Sequence, residues 1–429
     1  MLPEGEDQAL AEARRRGRLL QGFPALRHRN FRLFVVGQGI SLIGFWMQSV
    51  AQGWLIVHEL NGGPLDLGIV AFAGYLPILC LSPLAGVIAD RVSRRPLLIV
   101  TQALLMLLAF GLGALVTLGA ATVPRVVVFA AGVGLVSALD VPTRQSFLVQ
   151  MVGPEDLPNA IALNSSIFNA ARVVGPAIAG SLVAVSGEAT CFVLNGVSYL
   201  AVLIALLAMR LPRSVPVQTA ALGSGFVSGL RYVWVTPVLR NLLLLLGIVC
   251  AFGVQYAILM PIFAKSIFDA GAEGYGLLLT AGGIGAMVSS LQLAARRYTR
   301  VQHRRHLLLG LMTFGTAVLG LAVSPRLEVA LVCQTLAGFG MVRYLATTNT
   351  LLQLFVDDAY RGRMMGLHTV MFLGTQPVGS LVLGALADRF GPRQAAVASG
   401  CVSLAAATWL GYRLRRLALR ERLERATAA

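Results

Sequence analysis

Residues Pro96–Leu118 read PLLIVTQALLMLLAFGLGALVTL, a run with no charged side chain. A helix rises about 1.5 Å per residue, so a run of this length crosses the roughly 30 Å hydrocarbon core of a bilayer. Similar runs recur at Phe31–Val57, Leu67–Ala89, Val126–Phe147, Asn159–Ser186 and Ala189–Met209, and again at Val238–Phe263, Tyr275–Ala295, His306–Val323, Val329–Val356, Met364–Ala387 and Gln394–Tyr412. Of the 429 residues 56% are hydrophobic and 13% charged, with a mean hydropathy of +0.75. Soluble domains carry about 25% charged residues, so a water-solvated surface cannot be assembled from this chain. A closed barrel would alternate over segments of about ten residues, a pattern not found here. The fold class expected is therefore an all-α membrane protein of twelve transmembrane helices in two six-helix bundles.

The charges divide the ends of these helices into two sets. One end receives Arg14, Arg15, Arg16, Arg18, Arg27, Arg29, Arg91, Arg94, Arg95, the cluster Arg296 to Arg305 and the group from Arg413 to Arg425. The other receives only Arg125, Lys265, Arg326, Arg389 and Arg393, Lys265 being the single lysine. Cytoplasmic loops retain positive charge, which places both termini in the cytoplasm and the chain in a bacterial inner membrane. The net charge of +16 thus reads as topology, and no nucleic-acid partner is expected. Cys80, Cys191, Cys250, Cys333 and Cys401 stand singly in apolar runs, without disulfide or metal spacing. No metal or cofactor is expected.

The longest connection, 210–237, holds Pro212, Pro216 and a Gly-Ser-Gly run at Gly223 to Gly225. It divides the chain into a tail (1–30), an N-terminal bundle (31–209), a linker (210–237), a C-terminal bundle (238–412) and a second tail (413–429). Laid on itself at an offset of 204 residues, the chain pairs Gly175 with Gly379, Gly180 with Gly384, Gly187 with Gly391 and Phe168 with Phe372. Nearer the start of each half the offset is 208, pairing Gly39 with Gly247 and Gly68 with Gly276. Parallel repeats of this kind are typical of transporters.

Between the second and third spans runs Gly86-Val-Ile-Ala-Asp90-Arg91-Val-Ser93-Arg94-Arg95. It resembles the G-x-x-x-D-R-x-G-R-[RK] loop of the major facilitator superfamily, with Ser93 where that family usually has glycine. The resemblance covers nearly the whole chain. An acid beside several arginines can exchange partners between two conformations, so Gly86, Asp90, Arg91, Arg94 and Arg95 form a candidate conformational latch; a loop staple that sets topology is the alternative. The similar stretch Gly384 to Arg393 falls at the opposite face and is not read as a second latch. PALRHRNFRLF (Pro24–Phe34), PTRQSF (Pro142–Phe147) and NAIALNSSIFNAARVVGPAIAG (Asn159–Gly180) look like the exporter branch of the superfamily that includes the enterobactin exporter and related multidrug-efflux proteins. Within the last, Gly175-Pro176 and Gly180 resemble the antiporter motif G-P-x-x-G-G, with Ala179 replacing one glycine.

Ionisable residues deep in a membrane cost about 2.5–3.5 kcal/mol on insertion scales, which makes each a candidate site. Asp140 lies in the fourth span, Arg172 in the fifth and Arg343 in the tenth. The resemblance implies that spans 1, 4, 7 and 10 line a central cavity, where Asp140 and Arg343 would face one another. Arg144 and Thr347 share their helix faces, and Gln48, Gln52, Gln255 and Tyr256 extend polar stripes on spans 1 and 7. A second reading has Asp140 and Arg144 neutralising each other. Expected is a monomeric secondary active transporter, bathed in lipid, that exports a small-molecule solute (siderophore, drug or metabolite) by alternating access, with protons as coupling ion in antiport. Uptake or lipid flipping by the same fold, or a sensor without transport, are the alternatives. No HExxH, paired-acid or Ser/His constellation suggests an enzyme, and no GxxxxGK[ST] loop suggests direct ATP use.

Overall fold

The computed structural model describes the backbone of residues 23–210, 222–295 and 298–427, and side chains within these outside 82–91, 222–227, 300 and 414–427. The described residues form helices and no strand. The N-terminal half contains α1 (Arg29–His58), α2 (Pro64–Arg91), α3 (Arg94–Thr117), the continuous stretch Val123–Ser186 and α6 (Glu188–Ala208). The 64-residue stretch is far longer than one crossing needs, and it breaks at Gly153 (φ 75°, ψ 174°). Left-handed φ suits glycine, and Pro154 next to it offers no N–H to the preceding turn, so the two residues end one helix and begin another. The limbs are α4 (123–152) and α5 (154–186).

Helix α7 (Leu222–Val235) leads to α8 (Pro237–Ile267), α9 (Gly271–Ala294), α10 (Arg300–Val323), α11 (Leu327–Phe355), α12 (Asp358–Phe390) and α13 (Pro392–Thr427). Among the described residues eleven helical stretches are long and apolar enough to cross a membrane, Val123–Ser186 counted once. The expected twelve follows if its limbs are separate crossings. Many large apolar side chains point outward, among them Leu107 (60% exposed), Val128 (69%) and Val332 (61%). Surface of that kind belongs in lipid.

Two features lie beyond the sequence reading. The linker interval 210–237 contains α7, which docks on the C-terminal half: Tyr232 stacks on Tyr360 at 4.1 Å and donates its hydroxyl to Asp357 Oδ2 at 2.9 Å. The C-terminal stretch taken as a tail continues α13 as helix through Thr427.

In each half the helices pack in the same way. Helix α2 lies on α4, α1 on α5 and α6, and α3 on α6; their counterparts α9 on α11 and α10 on α13 repeat part of the pattern. The paired turns at Gly187 (φ 77°) and Gly391 (φ 97°) open α6 and α13. The halves meet through α2 with α12 and α5 with α9, and glycine decides both crossings. A Cβ on Gly276 would stand 2.6 Å from the Pro176 carbonyl oxygen, and one on Gly68 would stand 2.7 Å from that of Ser380. Reciprocally, a Cβ on Gly180 would lie 3.1 Å from the Cα of Gly276, and one on Gly384 would lie 3.1 Å from the Cα of Gly68. These are the residues paired by the repeat, so the two crossings are images of one another under the internal symmetry.

Both crossings lie at the same end of the bundle, where α1, α5, α8 and α12 finish and α2 and α9 begin. Lys265 on α8 adds a third tie there, donating to the Val57 carbonyl at the end of α1 at 2.6 Å. The carbonyl end of a helix attracts a cation. Trp54 of α1 also stacks with Tyr275 of α9 at 6.3 Å. Arg94 and Arg95 at the start of α3, and Arg304 and Arg305 in the first turns of α10, lie at the opposite end.

Gly68→Ala and Gly276→Ala each press a methyl group into backbone, which should cost about 1–3 kcal/mol and lower the melting temperature of the purified protein by several degrees. Gly362→Ala and Gly366→Ala, where nothing lies within 4 Å of an added Cβ, should leave it unchanged. Differential scanning fluorimetry of the four variants checks this.

Candidate transport site

The three passages that resemble the exporter branch converge at the arginine-rich end of the N-terminal half. Phe31 and Phe34 from the first, Phe147 from the second and Ala160 from the third share one buried apolar cluster. Two polar contacts fasten it: the Ala25 amide donates to Asn159 Oδ1 at 3.2 Å, and His28 Nε2 lies 2.7 Å from Asp156 Oδ2. These passages therefore join the start of α1 to the α4–α5 junction, a packing role.

At the candidate latch, α2 ends at Arg91 and α3 begins at Arg94. Ser93 has φ −59°, a value any residue adopts, so the departure from glycine introduces no backbone strain. Arg95 Nη2 donates to the Leu207 carbonyl at 3.0 Å, and Arg29 Nη1 donates to Ala208 at 3.0 Å. Two cations thus satisfy carbonyls at the end of α6. The side chains of Gly86, Asp90 and Arg91 lie outside the described residues. In the similar stretch at the other end, Arg393 caps α10 in like manner, donating to Ala322 and Ser324.

The deep polar residues fall into three groups. Asp140 is 2% exposed and faces α3, not the centre. Its Oδ1 accepts from Thr101 Oγ1 at 2.9 Å and Gln102 Nε2 at 2.8 Å, and its Oδ2 pairs with Arg144 Nη2 at 3.3 Å. Arg343 is also engaged within its own half, donating to Gln292 Oε1 of α9 at 3.1 Å with its guanidinium 4.8 Å from the Phe339 ring. The expectation that Asp140 and Arg343 face each other across the centre is corrected by these contacts. Each reaches a polar partner on an adjacent helix, because a deep charge is held best by the nearest donors or acceptors.

The second group is turned inward within a half as well. Gln48 accepts from Asn195 Nδ2 of α6 at 2.6 Å, so it serves the α1–α6 contact. Gln255 donates to the Cys250 carbonyl of its own helix at 3.2 Å. Thr347 is 1% exposed, and its hydroxyl is buried without a partner. Gln52 is half-buried.

The third group lies at mid-depth where α1, α5, α8 and α9 come together. Arg172 of α5 projects its guanidinium over the Trp46 ring of α1, 5.8 Å from its centroid. Its own carbonyl lies beside Gly283 of α9. Tyr256 donates to Gln334 Oε1 of α11 at 3.1 Å. The backbone of α8 is irregular here, with π turns at Val249–Gly253 and Phe263–Ile267 around a 3-10 segment, Val254–Leu259. Such departures often mark functional positions. The glycine motif positions this group: a Cβ on Gly175 would stand 2.5 Å from Cβ of Trp46, while Pro176 and Gly180 form the α5–α9 crossing. Trp46, Gln102, Gln292 and Gln334 escaped the sequence reading. Trp46 resembles any apolar core position, Gln102 and Gln292 sit singly on helices not expected to line the site, and Gln334, although on the tenth span, stands apart from the polar stripe of Arg343 and Thr347.

A repeated helical bundle with buried polar groups between two halves defines the class: this is a membrane transporter of the major facilitator fold. Its family follows from the sequence, residues 20–427 matching the transmembrane secretion effector family, to which the chain belongs. It is 27% identical over 369 residues to the staphyloferrin A transporter of Staphylococcus aureus, covering 84% of this chain and 90% of that protein. It is 29% identical over 368 residues to the multidrug efflux pump Tap of Mycolicibacterium fortuitum (83% and 87% covered) and 24% identical over 384 residues to the enterobactin exporter of Shigella boydii (87% and 89%). A solved peptide transporter superposes with a TM-score of 0.72 at 14% identity, over 91% of this chain and 95% of that one. A bacterial homologue of the lysosomal transporter Spinster gives 0.71 at 16%, over 90% and 97%. Both structures share the fold.

Asp140→Ala leaves Arg144, Thr101 and Gln102 facing an unfilled site and should destabilise the protein by about 3–5 kcal/mol, as removing one member of a buried pair does. The double variant Asp140→Ala/Arg144→Ala should recover part of that loss. Folded yield and thermal unfolding of both variants measure the difference.

Proposed function

We propose that the protein is a secondary active exporter of small solutes, with both termini in the cytoplasm of a bacterial inner membrane, twelve crossings and proton antiport as its drive. The observation that carries this reading is the close contact of the two halves at one end of the bundle. Two symmetric glycine crossings and the Lys265 tie hold one end together, and the arginine-rich loops lie at the other. Positive loops face the cytoplasm, so the closed end faces outward and the arrangement is one in which solute enters from the cytoplasm. Export then requires the halves to rock until the glycine crossings part and the opposite end closes.

The latch residues Gly86 to Arg95 would act at the end that closes during this step. Among the described residues Asp140 is the mid-depth acid, which makes it the candidate proton carrier. Its protonation would weaken the Arg144 pair and free α4 to move against α3. The secretion family and its siderophore and drug relatives support the outward direction over uptake or lipid flipping. The unit is proposed to work as a monomer, each copy holding both halves.

Expression in an efflux-deficient bacterial host tests the reading with a panel of anionic, neutral and cationic solutes together with the metabolites of the medium. At least one solute should accumulate less in expressing cells, and a protonophore should abolish the difference. Asp140→Asn should remove its dependence on the proton gradient at normal expression. Greater accumulation on expression would point to uptake, and gradient-driven export by Asp140→Asn would remove that residue from the coupling step.

A further inference from the structure

Resting on the reading of the central region as a solute path, we infer that Arg172 and Trp46 form a subsite for the carboxylate of an anionic, ring-bearing or otherwise apolar solute. A guanidinium stays protonated in any protein environment and is costly at mid-depth in a membrane. Deep cations are therefore usually paired. Arg144 has Asp140 at 3.3 Å, and Arg343 has Gln292 at 3.1 Å. Among the described residues Arg172 has no side-chain hydrogen bond or ion pair. It has the Trp46 face at 5.8 Å.

The groups around it share one deficiency. Trp46 Nε1, an obligate donor, is buried without a partner. Tyr256 has already committed its proton to Gln334. The subsite thus offers unmatched donors, from a planar fork and an indole N–H, and among the described residues no acid pairs with them. An ionised carboxylate is acceptor-only and takes a guanidinium bidentately. A cationic solute would meet a like charge in the same place.

The remaining walls describe the rest of the ligand. Phe168 lies one turn from Arg172 on α5 and meets Trp46 edge to face at 5.8 Å. Gly175, on the other side of Arg172, lets Trp46 pack against α5 and fixes its ring. Two aromatic rings beside an unpaired guanidinium suit an apolar or aromatic body that carries an acid group. The site lies against the α5–α9 crossing, since Arg172 and Val173 of α5 pack on Gly283 and Thr280 of α9. A ligand there is in a position to sense whether the halves are apart.

Calorimetric titration of the purified full chain in lipid nanodiscs with 2-naphthoate, 2-naphthylmethylammonium and 2-naphthylmethanol tests the assignment. Naphthoate should bind saturably and more tightly than the ammonium probe. Arg172→Gln should weaken it about tenfold or more, the loss expected of a charge-assisted hydrogen bond, while binding of the alcohol changes little. Arg172→Lys should retain part of the affinity. Where Arg172→Gln fails to fold, Trp46→Leu, which keeps the cation and removes the indole, should weaken naphthoate severalfold. Equal binding of anion and cation, undiminished naphthoate affinity in either variant, or no saturable naphthoate binding to the folded wild type overturns the assignment. Because the readout is binding, export without Arg172-dependent anion binding refutes the subsite alone, and anion binding without export refutes the transport reading alone.

Discussion

Two helix crossings with no side chain between them hold the halves of this molecule together at one end. Where Gly68 meets Gly384 and Gly276 meets Gly180, backbone touches backbone, and an added methyl group would collide with a carbonyl oxygen or an α carbon. Lipid supplies no hydrophobic pressure to drive helices together, so association inside a membrane rests on close van der Waals fit. Such a fit is strong when complete and falls away over a small separation. An interface of this kind is suited to two discrete states, closed or parted. On the proposed export cycle, parting the halves at that end would separate two glycine seams, unstack Trp54 from Tyr275 and release Lys265 from Val57.

The same economy of side chains shows why much of the fold could be read from the sequence. Uncharged runs gave the membrane helices because their length matches the bilayer. The offset repeat paired Gly68 with Gly276 and Gly180 with Gly384 before their contacts were known, and glycine recurs there because nothing larger fits. What could not be read was orientation about each helix axis. Asp140 and Arg343 lie on helices expected to face a cavity, yet Thr101, Gln102 and Gln292 are closer partners, and the spacing of residues within one helix says nothing of the residues on its neighbour. Helix α7 was hidden for a different reason, since the Gly-Ser-Gly run inside it reads locally as a flexible connection.

The polar groups sort by whether their demands are met. Asp140, Gln48 and Gln255 are satisfied within one half, and so behave as part of the scaffold whatever else they do. Arg172 has no such partner among the described residues, and it is placed beside the seam that joins the halves. On the proposed export cycle, a charge without a partner among the described residues, adjacent to an interface that would part, would couple occupancy of the site to the arrangement of the bundle without any long pathway.

The most direct measurement is the distance distribution between spin labels carried at Glu59 and Phe390, which are exposed on opposite halves at the closed end, in a cysteine-free protein reconstituted in lipid. The account predicts a distribution dominated by a short distance, with a second, longer distance that grows when Gly68→Ala and Gly276→Ala are introduced. A single distance indifferent to both substitutions would contradict it.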